Sequence, residues 1–143
     1  MKQLLGRAAK MGYAVHVWDL GPRLAGITDI QEQSITLNLD LTHAERRSAL
    51  AHELGHAHYG HSHSTPRAER QARAYAAALL IDPREYSTLE RINADQHWLA
   101  EEFTVTPRII FDYEALCLTR LRGVTYVRPR LGIGQWAHRL EHA

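Results

Sequence analysis

The sequence predicts an α+β fold: a small antiparallel sheet packed on one long helix, followed by a helical C-terminal part. Three observations carry this. Short β-type segments crowd into residues 13–38, a capped run of helical spacing follows from Thr42, and helical spacing resumes beyond Pro83.

Residues 2–11 space Leu4, Leu5, Ala8 and Ala9 along one side of a short helix, which Gly12 ends. Tyr13 to Leu20 alternates as a strand does, with Val15 and Val17 set against His16 and Trp18, and Gly21-Pro22 has turn chemistry. Leu24–Ile30 and Ser34–Asn38 then read as an antiparallel hairpin around polar residues 31–33. Thr42, three residues before Glu45, forms a capping box, and Ala49, Leu50, Leu54 and Ala57 give the helix behind it a packed side up to Gly60. A second helix covers 66–81, with Thr65 as its N-cap and Pro66 in its first position; Ala68, Ala72, Tyr75, Ala76, Leu79 and Leu80 form its buried stripe. Further helices are expected at 84–92, 95–102 and 106–121, a short strand at Thr125–Val127 and a terminal helix at Gln135–Glu141. The chain thus reads as a core over 1–83 and a helical part over 84–143, packed as one domain.

The chemistry concentrates in His52-Glu53-Leu54-Gly55-His56. A helix turns about 100° per residue, so side chains four apart project from nearly the same side. His52 and His56 can therefore offer two imidazole nitrogens to one metal ion, and Glu53 on the neighbouring flank can reach a water beside it. This is the zincin arrangement, two helical His ligands with the intervening Glu as general base. Gly55 costs about 1 kcal/mol against Ala inside a helix, which makes sense if something must approach the helix closely.

A zinc ion needs a third protein ligand, and Glu69 borders the apolar stripe of the next helix. A carboxylate facing a packed seam is costly unless paired or metal-bound. A salt bridge to Arg70 or Arg73, or a first-turn role with the helix dipole, would also account for it.

HELGHAHYGH at 52–61 followed by ERQARAYAAALLIDP at 69–83 resembles the ImmA/IrrE family of metallopeptidases, and the similarity extends over roughly residues 13 to 83. The resemblance implies zinc held by His52, His56 and Glu69, Glu53 as catalytic base, Tyr75 at the family's aromatic position, and Leu79 and Leu80 at its paired leucines. It implies a cytoplasmic zinc metallo-endopeptidase of a bacterial or phage setting that cuts helix-turn-helix repressors. It also implies an extended substrate pairing with a sheet edge beside the metal, for which Ser34–Asn38 is the candidate. Arg73 stands where the family has Asn or Asp, and Asp82 displaces the proline to Pro83; neither is a ligand position.

The competing function is a non-enzymatic regulator that binds DNA or a repressor protein through the helices of 95–121. Trp98-Leu99-Ala100, Val105, Thr106, Ile109, Ile110 and Leu116 resemble a helix-turn-helix across 95–121, with Arg108 at the head of its second helix. Asp112, Glu114 and the Glu101-Glu102 pair suit a phosphate backbone badly and weigh against DNA.

A net charge of +1 in 143 residues does not describe a strongly electrostatic nucleic-acid binder. No apolar run is long enough to span a bilayer, and the first residues lack the apolar core of a secretory signal. Cys117, the single cysteine, excludes an internal disulfide, fits a reducing cytoplasm and is expected to pack in the core. Beyond the ligand pair, His58, His61 and His63 crowd the end of the metal helix. They read as solvated helix-end residues, although one of His58, Tyr59, His61 and His63 could contact the oxyanion or a carboxylate behind the ligands; Tyr59, His61 and His63, with the distant His138, are the candidates for the oxyanion donor.

Overall fold

The computed structural model describes residues 1–121, 124–127 and 139–141, and its contacts divide the chain into two units, Met1–Ala76 and Ala77–Ala143. In the first, α1 (Lys2–Lys10) precedes the strands β1 (Ala14–Trp18), β2 (Gly26–Asp29) and β3 (Ser34–Asn38), then α2 (His43–Tyr59). The helix α3 (Pro66–Leu80) begins in the first unit and ends in the second.

The α+β class holds, but the first sheet is mixed. Its order is β1-β3-β2; β1 runs parallel to β3, with Val15 opposite Ile35, and β2 runs antiparallel, with Thr28 opposite Ile35. Ser34–Asn38 is therefore the central strand and not the edge expected from sequence. The reason lies in the connection between β1 and β2. A tight turn at Gly21-Pro22 would have paired them directly; instead residues 19–25 form a longer crossing, in which Asp19 accepts from Gly21 N–H at 2.9 Å and Asn38 bonds three backbone groups. The Asn38 amide donates to the Gly21 and Leu24 carbonyls at 2.6 and 2.7 Å and accepts from Leu20 N–H at 3.2 Å. Burial agrees with the central position: Ile35 and Leu37 are fully enclosed, as a strand paired on both sides and covered on one face should be.

The capping box of α2 forms as its sequence requires, Thr42 accepting from Glu45 N–H while the Glu45 carboxylate accepts from Thr42 N–H. Ser48, Leu50, Ala51, Leu54 and Gly55 face inward. Helix α3 opens at Pro66 with Thr65 accepting from Ala68 N–H, and Ala68, Ala72, Tyr75 and Ala76 are buried. Gly55 is where the two helices meet: a Cβ there would lie 2.9 Å from both Cα and the carbonyl oxygen of Ala72. Only a residue without a side chain lets the α3 backbone come this near.

The second unit continues with α4 (Pro83–Ile92), α5 (Gln96–Phe103) and α6 (Pro107–Asp112). Asp82 and Asp95 cap α4 and α5, and Thr104, in the left-handed region at φ 55°, closes α5. The long helix expected over 106–121 is cut short. A wide π-type turn spans Tyr113–Cys117, and the chain then enters β4 (Leu118–Leu121), paired antiparallel with β5 (Val124–Val127), itself paired with β6 (Arg139–Glu141). The strand at Thr125–Val127 is present. The terminal helix expected over Gln135–Glu141 is not: 139–141 are strand, and 135–138 lie outside the described residues. Segments of three or four residues are too short for a helical period to be told from a strand, and pairing to β5 decides the matter. Cys117 is buried, as expected. Glu114 accepts hydrogen bonds from Tyr86 and Gln96, while Asp112 pairs with Arg108 at 3.1 Å. Among the described residues, no helix is long and apolar enough to cross a membrane.

Candidate metal centre

His52 and His56 lie one turn apart on α2 and face the first turn of α3, where Glu69 sits. The close approach at Gly55 sets this distance. His52 Nε2 is 3.0 Å from Glu69 Oε2, and His56 Nε2 is 3.1 Å from Glu69 Oε1. One ligand atom from each residue falls within 4.8 Å of the others, so the three could hold a metal ion together.

The donor set fits such an ion. Two donors about 2.0–2.1 Å from a tetrahedral ion lie roughly 3.3 Å from each other, close to the separations found. Burial, followed by the neighbouring His52 and opposed by Glu69, holds His56 below the usual imidazole range, which favours the neutral form a metal requires. Burial pushes Glu69 the other way, but His52, His56 and a hydrogen bond from Ser64 outweigh it and keep the carboxyl below its ordinary range. Ser64 donates to Glu69 Oε1 at 3.2 Å.

Glu53 points from α2 toward β2 and is 7% exposed. Thr28 on β2 places its hydroxyl 3.1 Å from the Glu53 carbonyl and 3.2 Å from Oε1, tying both backbone and carboxylate to the strand. Gly26 makes the room: a Cβ on it would fall 2.9 Å from Glu53 Cγ. Burial pushes the Glu53 carboxyl up to about 7 against the Thr28 hydrogen bond, and the charge of Glu69 adds to the rise. Leu24, Ala25, Gly26 and Ala49 complete, with His52, Glu53, His56 and Glu69, a cleft of about 290 Å³. Gly26, which opens β2, and Leu24 and Ala25 just before it form one wall.

All four residues singled out from sequence thus meet at one cleft. The family model described as an IrrE N-terminal-like domain, a peptidase family, matches residues 8–110. The chain belongs to this family. The match takes in the IrrE-like core and reaches through α5 into α6, further than the resemblance read from the motifs alone. A solved structure described as a Mycobacterium tuberculosis transcriptional regulator is similar at a TM-score of 0.62 and 16% identity, over 97% of this chain and 48% of that one. At that identity the likeness concerns the fold, and the IrrE-like chain spans about half the length of that protein. No curated protein matches the sequence.

Of the other histidines, His58 stacks on Tyr75 with ring centroids 5.1 Å apart, and His63 is exposed. His138 lies outside the described residues. His61 is different: its Nδ1 is 3.0 Å from His56 Nδ1 and its Nε2 is 2.8 Å from Gln71 Oε1. Sequence reading missed Thr28, Ser64 and Gln71. Each acts across elements, and no local pattern marks a Thr on a strand as the partner of a helix carboxylate.

Proposed function

We propose that the protein is a zinc-dependent metallo-endopeptidase, with His52, His56 and Glu69 as ligands and Glu53 as general base. The observation that carries this is the placement of Glu53, which lines the same cleft as the three donors without being one of them. Three protein ligands leave a position open, the mark of a catalytic site, whereas structural zinc is usually enclosed by four. When bound, zinc supplies Lewis acidity that lowers the pKa of water toward about 7 and polarises a carbonyl. Glu53 takes the proton of the water that attacks the scissile carbonyl carbon, and returns it to the amine as the C–N bond breaks. Thr28 holds the carboxylate toward the cleft, and burial keeps its basicity high enough for the task.

The substrate is an extended segment of a helix-turn-helix repressor, cut in the bacterial cytoplasm. The outer edge of β2, unpaired among the described residues and beside Glu53, is the surface on which such a segment adds as a strand, with backbone hydrogen bonds giving affinity. Family membership and the fold shared with a transcriptional regulator support a place in transcriptional control. The test is to incubate the purified protein with a repressor encoded beside it. One cut should appear with the zinc-loaded wild type, and none with chelator or with Glu53→Gln. Cleavage by Glu53→Gln at the wild-type rate would overturn the mechanism; uniform digestion of unrelated unfolded proteins would overturn the substrate.

A further inference from the structure

We propose that His61 and Gln71 are positioning residues that fix the ring orientation and tautomer of His56, so that its Nε2 lone pair points at the metal. This rests on the reading of His56 as a ligand and extends it to two residues outside the ligand set.

The backbone explains why His61 is there. Gly60, in the left-handed region at φ 68°, ends α2 in a Schellman motif: Gly60 N–H donates to the Ala57 carbonyl at 3.2 Å and His61 N–H to the His56 carbonyl at 3.0 Å. This second bond folds the chain back so that the residue after the glycine lies over the residue five before it. In many such motifs an apolar contact fills that place. Here the pair is His61 and His56, with rings 5.2 Å apart at 72° and their Nδ1 atoms in hydrogen-bond contact. Tyr59 stacks on His61 at 5.4 Å, nearly parallel, and limits its rotation.

The order of protons along this row follows from its two ends. A His56 that gives its Nε2 lone pair to a metal carries its proton on Nδ1. That N–H must donate to His61 Nδ1, which is then bare, so the His61 proton lies on Nε2. Nε2–H finds an acceptor in Gln71 Oε1, 2.8 Å away. Every donor meets an acceptor in this direction. A ligating histidine commonly passes its second N–H to a carboxylate or carbonyl; here an intervening imidazole carries the link to an amide on α3. The row thereby joins α2 to α3 a second time, beside the bridge through Glu69.

The test uses the full chain. Zinc affinity is measured by competition with a chromophoric chelator, and the tautomers are read from long-range proton–nitrogen spectra of the zinc-loaded wild type with labelled histidines. The expected spectrum has His56 protonated on Nδ1 and His61 on Nε2. His61→Phe should weaken zinc binding by about 10–100-fold. His61→Asn, whose Oδ1 can stand in for Nδ1 as acceptor, should recover most of the loss. Gln71→Lys, which puts a donor where an acceptor is needed, should weaken binding, while Gln71→Glu should not; this pair decides the matter if His61→Phe fails to fold. A His61 protonated on Nδ1, or unchanged affinity in both His61→Phe and Gln71→Lys, would overturn the inference while leaving the ligand set standing. A wild type that binds no zinc would instead overturn the ligand reading, and this inference with it.

Discussion

Glu53 and Thr28 make a pair whose energetics can be separated by pH. The folded-state pKa of Glu53, about 7, lies above the ordinary 4.5. The folded state therefore holds more protons than the unfolded chain between those values, and stability falls as pH rises through the interval. The stabilisation is fully present below 4.5 and is lost as pH passes 7. In chelator, Glu53→Gln should gain on the wild type by on the order of 2–3 kcal/mol between about pH 4.5 and pH 8, as measured by denaturant unfolding. An advantage that shrinks with pH would show the carboxyl is not raised. Thr28→Val tests the same pair through catalysis. Thr28 lowers the Glu53 pKa, so its loss should raise it further, moving the acidic limb of kcat/KM to higher pH. Loss of the positioning hydrogen bond should also cost about tenfold in kcat/KM. A limb that stays in place in Thr28→Val would rule out this coupling.

At the scale of elements, the meeting of α2 and α3 determines whether the donors converge. Gly55→Ala sets two effects against each other. Alanine favours a helix interior by about 1 kcal/mol, but its Cβ would strike the Ala72 backbone, which cannot rotate away as a side chain could. Overpacking of this kind costs about 1–3 kcal/mol, so Gly55→Ala should destabilise the fold and, by moving Glu69 from the histidines, weaken zinc binding. Increased stability with unchanged affinity would show that the close approach is not needed. The sequence made this junction legible because Gly55 is out of place in a helix interior, and α2 and α3 were legible from caps and periodicity. The sheet was less so. Alternation located β1, β2 and β3, but the order depends on Asn38 gripping the 19–25 crossing, a contact that no local pattern encodes. Ser34–Asn38 therefore looked like an edge while its Ile35 and Leu37 were destined for the centre. Near the C-terminus, Leu116, Arg120 and Leu121 continued a helical spacing that the π-type turn and β4 interrupt.

At the scale of the whole molecule, one small unit, Met1–Ala76, contains every residue of the candidate centre, and α3, which carries Glu69, runs on into the second. That His52, Glu53 and His56 would gather at one place was readable from sequence because a helix fixes the His52–His56 relation locally. The supporting contacts were not, since Thr28, Ser64 and Gln71 come from three different segments. On the reading proposed above, His52, His56 and Glu69 bind metal while Glu53 acts on water. Zinc content per chain after exhaustive dialysis, compared among the wild type, Glu69→Ala and Glu53→Gln, tests it most directly. One zinc is expected in the wild type and in Glu53→Gln, and almost none in Glu69→Ala. Full zinc in Glu69→Ala, or its loss from a folded Glu53→Gln, would contradict it.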